Sequence, residues 1–240
     1  IIAVSSCKGG VGKSSMAVNI AYGLKQQGAK VGILDADVYG PSLPTMIKTD
    51  QELILENNDI APIIYDDIKC MSFGYALEQS DEGPAILRGP MVSQIISQFL
   101  LQTAWGELDY LIIDMPPGTG DVQLTLCQVI PITAAIIVTT PQHISFIDVV
   151  KGIEMFDTLK VPVIGAIENM SYISINKEKH YPFGQGAMKR LINEFGFKNT
   201  LQLELDQRIA QCADQGIPFI KKHNKNTIAK KINDFIEKII

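Results

Sequence analysis

Short, largely apolar runs along the chain alternate with longer stretches whose apolar positions recur every three or four residues. The runs read as buried strands: Ile1–Val4, Lys30–Leu34, Ile68–Phe73, Tyr110–Ile113, the β-branched Thr133–Thr139 and Val161–Ile167, and Leu201–Leu205. The periodic stretches read as helices: Met16–Gln27, Met91–Thr103, Val122–Val129, Ile144–Leu159, Met188–Phe195 and two more closing the chain. Val38–Pro44 and Gly83–Pro90 are loops. Thr49–Asp67 is polar and irregular around a short apolar run, Ile60–Tyr65. Strands continuous in hydrophobicity and alternating with helices predict an α/β fold: a mostly parallel central sheet covered by helices on both faces. No repeat, low-complexity tract or linker divides residues 1–240, so one domain is expected.

Composition narrows this little. Of 240 residues, 46% are hydrophobic, enough for one large core. A net charge of −5 argues against a general nucleic-acid grip, and no nucleic-acid partner is expected. No apolar run reaches membrane-spanning length. The sequence opens at Ile1 inside a strand, without methionine. We therefore expect a segment of a longer chain, whose targeting signal and flanking domains would lie outside it. Cys7, Cys70, Cys127 and Cys212 are far apart and form no CxxC, which reads as reduced thiols rather than a zinc framework. His143, His180 and His223 form no ligand spacing. Trp105 and Phe99–Leu101 suit a core helix or dimer face.

The chemistry concentrates after the first strand. Ser5-Ser6-Cys7-Lys8-Gly9-Gly10-Val11-Gly12-Lys13-Ser14-Ser15 joins a strand to a helix through a glycine-rich loop. Glycines let backbone N–H groups converge on phosphate oxygens, and the helix start adds its positive dipole end. Lys13 can reach the β- and γ-phosphates, and the Ser14 hydroxyl can bind Mg²⁺. Cys7 stands where a standard phosphate loop has its first glycine. At a helix end its thiol is expected to be lowered in pKa, leaving it open as a cluster ligand.

Ligands of parallel sheets collect beyond the carboxyl ends of strands, where Asp35, Asp37 and Asp114 stand. Asp114, after Tyr110-Leu111-Ile112-Ile113, is expected to hold Mg²⁺ through water. The prolines of Met115-Pro116-Pro117-Gly118 stiffen a turn in which the Gly118 N–H is free to meet a γ-phosphate. Asp35 and Asp37, two apart, would share a strand face. We assign Asp35 to the Mg²⁺ shell and Asp37 to the attacking water, against the alternative that one caps a turn.

The loop K-G-G-x-G-K-S, with its extra Lys8, resembles the deviant Walker A of the ParA/MinD superfamily. That resemblance implies a MinD-like P-loop NTPase fold and an ATP-sandwich homodimer. In it Lys8 would cross to the partner's nucleotide as an arginine finger does, and Asn169 would read the adenine edge. Asn176-Lys177-Glu178-Lys179 does not fit the guanine signature, so ATP is favoured over GTP.

Longer strings narrow the branch: DADVYGPSLPTM from Asp35, RGPM from Arg88, DYLIIDMPPGTGD from Asp109 and ENMSY from Glu168. With SSCKGGVGKS they resemble the Mrp/ApbC family of iron–sulfur scaffold ATPases. Cys7, LTLCQ and HYPFGQG are similar to the plastid high-chlorophyll-fluorescence group within it. The resemblance implies slow, switch-like ATP hydrolysis with Mg²⁺, a homodimer, delivery of [4Fe–4S] clusters to apo-proteins, and a plastid or other organelle; otherwise a cytoplasmic, soluble protein. The chain departs from the family where a CxxC follows ENMS, having Ile173-Ser174-Ile175-Asn176, and Ser171 stands where plastid members tend to have cysteine. Cys7, Cys127 and Cys212 remain as ligand candidates, or flanking domains supply them.

Two alternatives stand beside this reading. One is a MinD-like positioning ATPase, with Ile228, Ile232, Phe235, Ile236, Ile239 and Ile240 as an amphipathic membrane stripe. The expectation is instead that this helix packs on the sheet, without membrane binding. The other is a nucleotide-gated adaptor carrying no cluster.

Overall fold

The computed structural model describes residues 1–56, 59–78 and 89–240. The expected Gly83–Pro90 loop, with Arg88 of the RGPM string, falls from 83 to 88 outside the described residues.

In chain order the elements are β1 (Ile2–Ser5), α1 (Lys13–Gln26), β2 (Val31–Asp35), α2 (Leu43–Met46), β3 (Ile54–Glu56), β4 (Asp59–Ala61), β5 (Ile63–Tyr65), β6 (Ile68–Ser72), α3 (Phe73–Glu78) and α4 (Gly89–Gln102). There follow β7 (Tyr110–Asp114), α5 (Asp121–Val129), β8 (Ala134–Thr139), α6 (His143–Thr158), β9 (Val163–Ile175), β10 (Glu178–His180), α7 (Ala187–Phe195), β11 (Thr200–Glu204), α8 (Gln207–Asp214), α9 (Phe219–Lys222) and α10 (Thr227–Ile239).

The main sheet runs β10-β9-β8-β1-β7-β2-β6-β5, with β11 also on β9. Every pairing from β6 across to β9, and that of β11, is parallel; β5 and β10 are antiparallel edges. β1 therefore lies centrally, between β7 and β8, and its residues are all buried. One apolar core joins α1 and α10 to one face of the sheet, and another joins α4 and α5 to the opposite face. The expected parallel, doubly covered sheet is the observed one.

Three local expectations change. Thr49–Asp67 holds three short strands. β3 and β4 make a separate two-stranded ribbon, and β5 turns back onto β6. Three-residue strands carry too little periodicity to be read from the pattern. The run expected to end at Ile167 continues to Ile175 through Met170, whose φ of 56° is left-handed, and returns as β10. The hairpin loop is Asn176-Lys177, both residues at positive φ (51° and 70°), as a type I′ turn requires. Three helices, not two, close the chain, because the four-residue α9 is too short to show a helical period.

The apolar stripe of α10 is spent inside the fold. Ile228, Ile232, Phe235 and Ile236 are buried. Ile236 lies where a Cβ on Gly23 of α1 would stand, 2.2 Å away, and Phe235 occupies the space over Gly165 of β9. A membrane role for this face would require undoing that packing. Among the described residues no helix is long and apolar enough to cross a membrane.

Candidate functional site

Three strands end side by side beneath the glycine-rich loop. Register sets Val4 beside Asp114 and Asp114 beside Asp35. Beyond the strands the chain stays laced: Met115 N–H donates to Val4 O (3.0 Å) and Ala36 N–H to Asp114 O (2.9 Å). Gly10 and Gly12 take φ of 78° and 85°, a conformation that a side chain resists. Gly12 has a second reason to be glycine, since a Cβ there would stand 2.4 Å from Asn169 Nδ2. The buried Asn169 amide donates to Val11 O at 2.9 Å. The residue expected at the adenine edge thus braces the loop from behind.

Lys13 begins α1 and points inward. Its Nζ donates to Asp114 Oδ1 at 2.5 Å and to Ser14 Oγ at 3.2 Å, and the ion pair is buried on both sides. Burial pushes the Asp114 carboxyl above its ordinary value, against the pull of Lys13 and a hydrogen bond from Ser14. Asp35 is buried beside it, and burial together with repulsion from Asp114 raises its carboxyl to about 7, opposed by N–H donors and Lys13.

The hydrogen bonds of Asp35 change its expected role. Oδ2 accepts from Ser42 N–H (3.0 Å), Leu43 N–H (3.1 Å) and Ser72 Oγ (3.1 Å); Oδ1 accepts from Asp37 N–H (3.1 Å). These four donors tie the Asp35 carboxylate to the loop after β2 and to β6. The shared strand face does not hold either, because β2 stops at Asp35 and Asp37 lies beyond it. Asp37 lines the cleft, with Oδ1 accepting from Gly40 N–H at 3.2 Å.

The raised carboxyl gives a signed prediction. Between the unfolded carboxyl range near ~4 and about 7, folded Asp35 binds more protons than unfolded, so its contribution to stability falls as pH rises through that window. The nucleotide-free chain should lose thermal stability from pH 5 to pH 7.5, and Asp35→Asn should flatten that slope. Thermal melts of both proteins across the range check it; parallel slopes would contradict it.

Two further expectations are corrected. The Gly118 N–H is not free: it donates to Ser6 O at 2.9 Å, tying the Pro116–Gly120 turn to the phosphate loop. The Cys7 thiol is not lowered, because burial against α6 pushes it up to about 12. Burial likewise pushes Cys127 up to about 11 and raises Cys70 and Cys212. None of the four thiols is poised as a thiolate, and among the described residues no group of three or more His, Cys, Asp or Glu could hold a metal ion.

The cleft itself, about 410 Å³, is lined by Gly9, Gly10, Gly12, Lys13, Ser14 and Ser15 on one side and by Asp37 with Pro41–Ser42 on the other. A larger concavity between α6 and α7, about 520 Å³, lies apart from these strand ends and is lined by Phe146, Phe183–Ala187 and Arg190. Lys8 stands exposed at the rim, with Nζ donating to Gln142 Oε1 at 3.3 Å. Sequence reasoning missed Gln142, although it stands three residues past the end of β8, where ligands gather. It also missed Gln123, whose buried amide donates to Ser5 Oγ at 2.5 Å. Glu168 escaped it too: the buried carboxylate joins Ser171, Gln202 and the Met188 N–H of α7. Only tertiary proximity marks these last two.

Comparison with known proteins agrees with this geometry. The Fe-S cluster assembly factor HCF101, chloroplastic, of Oryza sativa subsp. japonica is 52% identical over 233 residues, which is 96% of this chain and 43% of that protein. The iron-sulfur cluster transfer protein NUBPL of Dictyostelium discoideum is 42% identical, over 100% of this chain and 75% of its own length. The chain thus spans less than half of the HCF101 relative. A solved nucleotide-binding protein in complex with ADP from Archaeoglobus fulgidus superposes with a TM-score of 0.79 at 36% identity, covering 90% of this chain and 85% of its own. The family described as ParA, NUBPL iron-transfer P-loop NTPase, matches residues 1–240. The chain belongs to that family of P-loop NTPases.

Proposed function

We propose that the chain is the ATP-driven switch of an iron–sulfur cluster carrier, binding Mg²⁺–ATP, hydrolysing it slowly as a homodimer and serving delivery of [4Fe–4S] clusters to apo-proteins. The observation that carries the nucleotide part is the buried Lys13–Ser14–Asp114 cluster under a loop of glycines. The Lys13 ammonium already supplies positive charge to Asp114, the position a cation would share. The Ser14 hydroxyl and the Asp114 carboxylate are hard oxygen donors that fit Mg²⁺, with phosphate and water completing its shell. When bound, the ion would neutralise charge on the phosphates.

In this reading the N–H groups of Gly9, Gly10, Val11, Gly12, Lys13, Ser14 and Ser15 cradle the phosphates. Lys13 turns from Asp114 toward them, and Asp37 orients the attacking water. Asp35 holds the loop that presents Asp37. Gly118 gives up Ser6 O to meet the γ-phosphate, which makes the turn sensitive to ATP against ADP. Asn169 keeps the loop in shape and faces adenine only by releasing Val11 O. Lys8 serves the partner's nucleotide.

The cargo part is supported by the names of the relatives, carriers and assembly factors of such clusters. The ligands would be Cys7, once the loop moves, or thiolates in parts of the longer relatives that this chain does not span. One observation favours a second reading, a nucleotide-gated adaptor: every thiol of the chain is raised by burial. Anaerobic reconstitution, desalting and counting of iron and sulfide separate the two. The carrier reading predicts equal iron and sulfide, about four of each per dimer; retention of neither leaves the adaptor.

A further inference from the structure

Two residues are each out of place alone and fit each other. Cys7 puts a side chain at the front of the phosphate loop, where a standard loop has glycine. Gly152 puts a glycine in the middle of α6, where it weakens the helix relative to alanine. It is buried and not at positive φ, so no turn explains it. A Cβ built on Gly152 would meet one atom within 4 Å: Cys7 Sγ, at 2.4 Å. The missing side chain on α6 is the space the thiol fills. Ten residues earlier, at the start of the same helix, Gln142 holds the next loop residue, Lys8, by its ammonium. The front of the loop is therefore seated on α6 at two consecutive residues.

We propose that Gly152 is a positioning residue for the phosphate loop, acting through Cys7: the notch it leaves in α6 sets where the loop stands and so where Lys8 emerges. A side chain at 152 must drive Cys7 from its seat. The thiol can then move only by turning into a different rotamer or by carrying Lys8-Gly9-Gly10 with it. Either course disturbs the thiol's hydrogen bond with the Gly152 backbone, and the second moves the loop. The loop's rear half is fixed independently by Asn169 on Val11 O, so the displacement falls on the front half, nearest Lys8.

This inference rests on the nucleotide reading, and its test keeps the two apart. Fluorescent (mant) ADP and ATP are titrated into the native chain, Gly152→Ala, and Gly152→Ala with Cys7→Ala, with thermal melts of each without nucleotide. Gly152→Ala should weaken nucleotide binding at least about tenfold, and adding Cys7→Ala should recover at least threefold of that. The coupling should appear in the melts as well, the double variant melting above Gly152→Ala alone. Binding by Gly152→Ala within twofold of native, together with the raised melting temperature of an ordinary glycine-to-alanine change in a helix, overturns the proposal. So does a double variant weaker than Gly152→Ala. If Gly152→Ala does not fold, Cys7→Val crowds the same contact from the other side and should cause the same loss of affinity. If the native chain binds neither nucleotide, the nucleotide reading falls, and the melt coupling alone decides whether Cys7 is seated on Gly152.

Discussion

Lys13→Ala should abolish turnover and weaken triphosphate binding by at least ~100-fold. Two losses combine. The ammonium is the only cation inside the cradle of described residues, and removing its charge-assisted bonds to phosphate forfeits on the order of 3 kcal/mol, about two decades of affinity. The substitution also leaves Asp114 buried without its partner. Breaking a buried pair from one side costs roughly 3–5 kcal/mol when the remaining group stays charged. Asp114, already raised by burial, would escape part of that by taking a proton. The destabilisation should therefore grow from pH 6 to pH 8. Isothermal titration with Mg²⁺–ATP and melts at the two pH values measure both effects. Native-like affinity, or a deficit in stability that shrinks as pH rises, would contradict the account of the site.

Lys8→Ala should do something different: lower turnover by ~10³-fold or more, as loss of a charge-supplying finger does, while one nucleotide still binds each subunit with affinity within about threefold of native. The geometry sets this contrast. The Lys8 side chain is exposed and its ammonium makes one hydrogen bond within its own chain, of 3.3 Å to Gln142, so its loss leaves the Cys7 seat on α6 and the cradle in place. Its melting temperature should be unchanged. Single-turnover kinetics beside nucleotide titration separate the two effects. Full turnover by the variant would remove the role in trans.

The sheet was legible in the sequence. Runs such as Ala134–Val138 are apolar throughout because both their faces are covered, and that burial writes itself into consecutive residues. The loop was legible because phosphate binding demands glycine, lysine and hydroxyl at fixed spacing. What could not be read was which groups are already engaged. Asp35 looks like a ligand from its place at a strand end, yet Ser42, Leu43, Ser72 and Asp37 claim its oxygens. Gly118 looks free until its N–H is found on Ser6 O. Cys7 looks activated by a helix end, while its real environment is α6, nearly 150 positions along the chain. Each correction arises from a contact between distant segments, and spacing along one segment carries no trace of it.

The central claim is that nucleotide brings two copies together with each Lys8 facing the other's phosphates. Sedimentation equilibrium with Mg²⁺ and a non-cleavable ATP analogue tests it most directly. The account predicts twice the chain mass with the analogue and the single chain mass with ADP. A single chain mass in both, at protein concentrations where the analogue saturates the site, would contradict it.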